Sequence, residues 1–261
     1  MMTTTDTSAP APKIALITGA SRGLGRSMAL HLAAQGVDVI GTYRHHADQA
    51  AATARDVEAR GRRAAMLPLD VGRSETFTDF ADAFASTLRS AFGRSTFDYL
   101  VNNAGSAQYG SVTEITGAQF DAMVNEHLKA PFFLTQRLLP LLADGGRILN
   151  VSTGLTRFTF PGRAAYASVK GGVEVLTRYL AQELGPRGIR ANVIAPGATA
   201  TDFGGGVLRD DPDVARHVAE TVALGRVGLP DDIGAAVAAL LSDEMSWMNG
   251  VRVEVSGGQH L

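Results

Sequence analysis

Seven short apolar runs recur along the chain, with longer amphipathic stretches between them: KIALITG, VDVIGTY, AAMLPLD, FDYLVNN, GRILNVS, IRANVIAP and VRVEVSGG. Most are apolar at nearly every position rather than every second one. A strand of that kind needs cover on both faces, the condition met inside a parallel sheet flanked by helices. The stretches between supply those helices. RSMALHLAAQG carries apolar residues at helical spacing and stops at Gly36, and HADQAAATARDVEARG has the same character. The pattern predicts an α/β fold, a doubly wound, seven-stranded, mostly parallel sheet with helices on both faces. A length of 261 residues is enough to bury one such core. No linker, repeat or change of composition interrupts residues 13–261, which are expected to form one domain. Residues 1–12, MMTTTDTSAPAP, are polar and Pro-rich and are expected to be a flexible tail.

Whole classes of function are excluded by what the chain lacks. No apolar run approaches the ~18 residues that cross a membrane. The formal charge of −2 offers no basic surplus for nucleic acid or anionic lipid. There are no cysteines, so disulfides, thiolate nucleophiles and cysteine zinc sites are absent. The tail lacks the charged and apolar regions of a secretion signal. A cytoplasmic protein acting on a small molecule is the expectation.

The stretch TGASRGLG, Thr18 to Gly25, joins the first strand to the first helix. Gly19, Gly23 and Gly25 allow a tight turn and let the backbone approach a pyrophosphate at the helix N-terminus, where free N–H groups and the helix dipole favour anions. An ordinary glycine-rich turn would read the same in isolation, but the strand before and the helix after favour a dinucleotide. NAD would need a carboxylate at the end of the second strand to bind the ribose 2′-hydroxyl. That region is GTYRHH, where Tyr43 and Arg44 occupy the place of the acid, and Asp38 comes too early. Arg44, with Arg22 from the loop, can clamp a 2′-phosphate instead. The expected cofactor is NADP(H), although two solvated surface arginines are the plainer alternative.

Further along, AAYASVKGGVEVL places Tyr166 and Lys170 four residues apart on one helix face. An ammonium beside a phenol stabilises the phenolate and is expected to pull the tyrosine pKa down towards the working range. Such a tyrosine can protonate a carbonyl oxygen that receives hydride, or take the proton from an alcohol. Alone, the pair is a common surface pattern.

Five motifs in one order change that. TGASRGLG, NNAG at Asn102 to Gly105, YASVK, APGATATD at Ala195 to Asp202 and GRVGLPDDI at Gly225 to Ile233 together resemble the classical short-chain dehydrogenase/reductase family, closest to its bacterial 3-ketoacyl-carrier-protein reductases and related carbonyl reductases. The resemblance covers Lys13 to about Gly258 and implies a single Rossmann-type domain and a homo-oligomer, a tetramer or dimer. It implies a cofactor site built from Gly19, Ser21, Arg22, Gly23, Leu24 and Gly25 in the loop, and from Tyr43 and Arg44 after the second strand. Asp70 and Val71 in LPLDV look like adenine contacts. Asn102, Ala104 and Gly105 line the cofactor, and NNAG also helps to hold the sheet together. Pro196, Gly197, Thr199 and Thr201 lie at the nicotinamide end. Tyr166 looks like the acid/base, with Lys170 lowering its pKa and holding the nicotinamide ribose.

Two positions depart from the family pattern. A serine thirteen residues before the tyrosine orients the substrate oxygen in the family, and here that position is Thr153, with Ser152 one residue earlier. Neighbours on a strand point opposite ways, so Thr153 is expected to face the site. The family's active-site asparagine falls 25 residues after Asn102, which is His127 in VNEHLKAPFFLTQ. The family role of that position is to hold a water linking the lysine to solvent. An imidazole can hold such a water, and Lys170 nearby would keep it neutral, with activity lost or altered on the acid side as it protonates. A metal role is not expected, because no second ligand stands at ligand spacing. A buried structural histidine is the alternative.

The loops 106–110, 154–163 and 202–221 are expected to form the substrate pocket. They bring Tyr109, Leu155, Phe158, Phe160, Phe203, Val207 and Leu208, a mostly apolar lining suited to a medium-sized ketone or its alcohol. Gly204, Gly205 and Gly206 suggest a lid hinge. The expected activity is hydride transfer between NADP(H) and a carbonyl or secondary alcohol, most simply ketone reduction. Oxidation of the alcohol is one alternative. A non-catalytic NADP(H)-binding sensor or scaffold is another, since fold does not fix function, and the retained Tyr166 and Lys170 argue against it.

Overall fold

The computed structural model describes residues 11–261. The tail expected at residues 1–12 lies almost wholly outside the described residues. Of its last residues, Pro12 is held by Arg94, whose guanidinium donates to the Pro12 carbonyl at 3.1 Å.

The seven apolar runs are the seven strands β1 Ile14–Ile17, β2 Asp38–Tyr43, β3 Ala64–Pro68, β4 Phe97–Asn102, β5 Leu142–Val151, β6 Arg190–Pro196 and β7 Arg252–Val255. They form one sheet in the order β3-β2-β1-β4-β5-β6-β7, and every pairing is parallel. β5 starts at Leu142, four residues before the run GRILNVS, because Leu142 pairs with Phe97 ahead of an irregularity in the β4 register.

The helices are α1 Gly23–Ala34, α2 Ala47–Glu58, α3 Phe77–Phe92, α4 Gly117–Val124, α5 Ala130–Leu138, α6 Ala164–Glu183, α7 Val207–Asp210, α8 Pro212–Ala219 and α9 Pro230–Leu240. Alternate residues of the strands serve opposite faces. Ile14 and Leu16 join one core cluster with Phe80, Phe84 and Leu134 from α3 and α5. Ala15 and Ile17 join the other, with Met28, Leu32 and Val237 from α1 and α9. In α3, Phe77, Phe80, Phe84, Leu88 and Phe92 form one buried stripe at helical spacing, and Gly93 ends the helix in the left-handed region with φ 62°.

β1 has β2 on one side and β4 on the other, so the chain reverses its direction of winding there. In an open α/β sheet such a reversal leaves a crevice beyond the carboxyl ends of the strands, the usual ligand site. The glycine loop follows β1 and NNAG follows β4, so both border that crevice.

Candidate active site

The glycine loop is packed too closely for a side chain at Gly19 or Gly25. A Cβ on Gly25 would lie 2.1 Å from the Gly19 carbonyl oxygen, and one on Gly19, at φ 69°, would lie 3.0 Å from Ala104 Cα. NNAG is what the loop packs on. The Asn103 amide donates to the Thr18 carbonyl at 2.8 Å and to the Gly19 carbonyl at 3.2 Å. The Thr18 hydroxyl accepts from the backbone N–H of Asn103 and of Ala104, both at 2.9 Å. Thr18 and Asn103 were not among the expected site residues, although both lie inside the quoted motifs. Asn102, by contrast, turns into the sheet, donating to Asn150 at 2.8 Å and Thr135 at 3.3 Å.

At the start of α1 the residue preceding the helix is Arg22, which offers no side-chain cap, and no acid stands in the first turn. The first N–H groups of α1 therefore lack a side-chain partner, and their partial positive charge favours an anion. Ser21 lends its carbonyl to the Thr53 hydroxyl, and Leu24 packs on the core. This uncapped glycine-lined cradle fits a dinucleotide pyrophosphate.

No carboxylate closes β2. Asp38 is fully buried at its start, held by Arg62 and Arg63 at 2.7 Å each. Tyr43 ends the strand and Arg44 follows it. The two arginines expected to clamp a 2′-phosphate are engaged by carboxylates of different segments. Arg22 lies 3.4 Å from Asp202, in the loop after β6. Arg44 lies 3.3 Å from Glu126 and 3.9 Å from Asp70. Asp70 also accepts the Gly72 N–H at 3.0 Å, and Val71 is buried.

After β6, Pro196 ends the strand and Gly197 packs on Ser256 so closely that a Cβ would come within 2.7 Å of it. Thr199 donates to the Gly197 carbonyl at 3.0 Å, and Thr201 accepts the Phe203 N–H at 3.2 Å. Thr201 is also the nearest neighbour of Gly23, so this loop crosses the glycine loop.

Tyr166 and Lys170 are both buried on one face of α6. Tyr166 belongs to a small apolar cluster with Met123 and Val169, against which Ile115, Leu128 and Leu155 pack. The Lys170 ammonium donates to the Val151 carbonyl at the end of β5 at 2.7 Å and lies 5.8 Å from the centre of the Tyr166 ring. Thr153 is extended, and its hydroxyl accepts the Leu155 N–H at 3.3 Å. Ser152 points elsewhere and donates to Glu174 at 2.6 Å, in a cluster with Arg252 and Thr156.

His127 lies in a π-helical turn, Asn125–Lys129, between α4 and α5. Its ring stands edge-on to Tyr166, with centroids 5.2 Å apart. Nε2 lies 2.5 Å from the Ser106 carbonyl oxygen, so Nε2 carries the proton and donates. Nδ1 is buried without a protein partner. The room for the ring comes from Gly105, where a Cβ would lie 2.2 Å from His127 Cε1. Among the described residues no cluster of three or more metal-ligating side chains occurs.

The charges in this site differ from expectation in two respects. Burial pushes the Tyr166 phenol above its ordinary pKa, with Tyr109 adding to the rise. The reduction expected from Lys170 does not occur. The ammonium sits beside a backbone carbonyl, and burial brings its own pKa down to about 8, against a smaller opposing pull from Glu126. His127 is lowered to about 3, by burial first and Lys170 second, so its acid limb moves well below the working range.

That shift makes a prediction about stability. As pH falls through 6.5 the unfolded imidazole takes up a proton, whereas the folded one waits until about 3. In that window the unfolded state binds more protons, so stability falls as pH falls. Relative to His127→Asn, the protein is expected to lose roughly 1 kcal/mol per pH unit. Urea denaturation at a series of pH values measures it, and equal slopes in the two proteins would remove the buried neutral imidazole from the account.

Around Tyr166 the pocket loops bring Phe203, with ring centroids 5.9 Å apart, and Tyr109, whose hydroxyl would be 2.9 Å from a Cβ on Gly204. Gly204, Gly205 and Gly206 all have φ between 66° and 85°, a run of left-handed backbone that favours glycine. Arg163 covers the face of Tyr109, and Phe160 is exposed beside it. Val207 and Leu208 open α7. Phe158 turns away to pack on Gly154 and His260. Arg157 is occupied by Glu254 and two carbonyls near the C-terminus.

Comparison with known proteins agrees with this architecture. Residues 19–260 match a family model described as enoyl-(acyl carrier protein) reductase. The 3-oxoacyl-[acyl-carrier-protein] reductase of Staphylococcus epidermidis is 32% identical over 251 residues, 95% of this chain and 99% of that one. The promiscuous reductase LugOII, which catalyses keto-reduction at C1 during lugdunomycin biosynthesis, is 36% identical with a TM-score of 0.92, over 97% of this chain and 100% of its own. The angucycline C-6 ketoreductase LanV, crystallised with NADP, is 37% identical with a TM-score of 0.89, over 95% of each chain. With this sheet order, this glycine loop and relatives matched along nearly their whole length, the chain belongs to the short-chain dehydrogenase/reductase family.

Proposed function

We propose that this NADP(H)-dependent oxidoreductase reduces a planar, largely apolar ketone, with Tyr166 protonating the carbonyl oxygen, Thr153 holding it, and Lys170 and His127 completing the site. Bound NADPH supplies the hydride. The glycine loop and the uncapped end of α1 would hold its pyrophosphate, and Arg44 and Arg22 its 2′-phosphate. Asp70 and Val71 would meet the adenine, and the Pro196 to Thr201 segment the nicotinamide end. Asn102 then acts mainly by holding β4 to β5 under that site.

The observation that carries the reading is the buried pairing of Tyr166 with Lys170 on one face of α6, the ammonium 5.8 Å from the centre of the phenol ring and anchored to the end of β5. Burial favours the neutral phenol, the form in which Tyr166 can donate a proton to a nascent alkoxide. The substrate class rests on the rings around it. His127, Phe203 and Tyr109 surround Tyr166 with flat faces and edges that favour flat partners. That LanV and LugOII act as ketoreductases in angucycline and lugdunomycin chemistry supports the same class.

A panel of ketones, followed by NADPH absorbance, tests this. Planar two- and three-ring aromatic ketones are expected to show kcat/KM at least ~10-fold above short aliphatic ketones. Parity between the two groups would discard the substrate class, and no turnover with any ketone would discard the reductase.

The rest of the reading is coarser. One domain, residues 13–261, would hold both sites. Exposed Phe132 and Phe133 on α5 and Val175 and Tyr179 on α6 support a homo-oligomer, a dimer or tetramer. Among the described residues no helix is long and apolar enough to cross a membrane, which is consistent with a cytoplasmic enzyme.

A further inference from the structure

Glu126 has no role in the proposed reaction, yet its carboxylate joins the two halves of the site. One oxygen, Oε1, lies 3.3 Å from Arg44 Nη1. The other, Oε2, accepts the Ser106 N–H at 2.8 Å and the Ser106 hydroxyl at 2.6 Å. The Ser106 carbonyl in turn accepts from His127, which meets Tyr166 edge-on. The Glu126 side chain is 13% exposed and that of Arg44 46%. Thus the carboxylate is fixed by the Ser106 loop, and the guanidinium is the partner able to move.

We infer that Glu126 is a positioning residue that sets cofactor selectivity, by drawing Arg44 towards itself and competing with a 2′-phosphate for its guanidinium. The inference rests on the reading that Arg44 meets the 2′-phosphate. Arg44 has several N–H donors, so it can serve both anions. The phosphate must then share the guanidinium with a carboxylate that the Ser106 loop already holds beside it. Affinity for the phosphorylated cofactor is held below what Arg44 alone would provide. Asp70, 3.9 Å from the same nitrogen and more exposed, is the weaker competitor.

Binding of NADPH and NADH, which differ only in the 2′-phosphate, is measured by the fluorescence of the reduced nicotinamide. Glu126→Gln keeps an oxygen for Ser106 and removes the charge. It is expected to tighten NADPH about two- to fivefold, the range of an ion pair of this exposure, and to leave NADH nearly unchanged. Arg44→Ala is expected to weaken NADPH alone, and adding Glu126→Gln to it should then change nothing. Glu126→Ala is expected to act in the same direction as Glu126→Gln, should the glutamine variant not fold. Unchanged or weaker NADPH binding in the folded variants overturns the inference, as does a gain that persists without Arg44. If Arg44→Ala leaves NADPH binding intact, the assignment of Arg44 itself fails, and this inference with it.

Discussion

Tyr166→Phe is expected to lower turnover by roughly a hundred- to ten-thousandfold, the usual worth of a positioned general acid. The ring would remain in the apolar cluster with Met123 and Val169, so packing is retained and only the hydroxyl goes. NADPH affinity should stay near that of the unaltered protein, because the glycine loop and the end of α1 are untouched. Single-turnover measurement of NADPH oxidation separates the chemical step from release. A folded Tyr166→Phe protein that turns over at near-normal rate would remove Tyr166 from the mechanism. His127 and Lys170 would then be the remaining proton carriers, since both border the same ring.

Arg44→Asp is expected to reverse the cofactor preference from NADPH to NADH. The substitution removes a charge-assisted donor from the end of β2 and supplies the carboxylate that an NAD-binding site carries at that place. The shift in relative affinity should be about 1–3 kcal/mol. The new carboxylate would also face Glu126 and Asp70, which flank Arg44 now. Some loss of affinity for both cofactors is therefore expected beside the reversal. Fluorescence titration with each reduced cofactor reads both effects. Equal affinities for NADPH and NADH in the unaltered protein would dispose of the selectivity argument before any substitution is made.

The sheet was legible in the sequence because its cause is local and repeated. Strands such as IALI and the FDYLVN of β4 are buried at every residue, which only a sheet covered on both sides allows. The glycine loop was legible for a related reason. Gly19 and Gly25 stand where backbone meets backbone, and no other residue can. Tyr166 and Lys170 needed only helical spacing to share a face. Opposite orientations for Ser152 and Thr153 followed from strand alternation.

Tertiary contacts decided the rest. The sequence sets Lys170 one turn from Tyr166, but the strength of their coupling depends on burial and on the Val151 carbonyl that the ammonium meets, 19 residues away in the chain. The outcome is a phenol held up rather than drawn down. His127 could be counted to its position, yet its tautomer comes from the Ser106 carbonyl and its space from the missing Cβ of Gly105. Glu126 gave no signal at all, since a glutamate in an amphipathic segment reads as a solvated face. Its link to Arg44 spans 82 residues and exists only because β2 and the turn after α4 end beside the same crevice. Periodicity reports which way a side chain points from its own element. Desolvation and charge pairing depend on what the other elements bring against it, and those were set only when the sheet closed at the junction of β1 and β4.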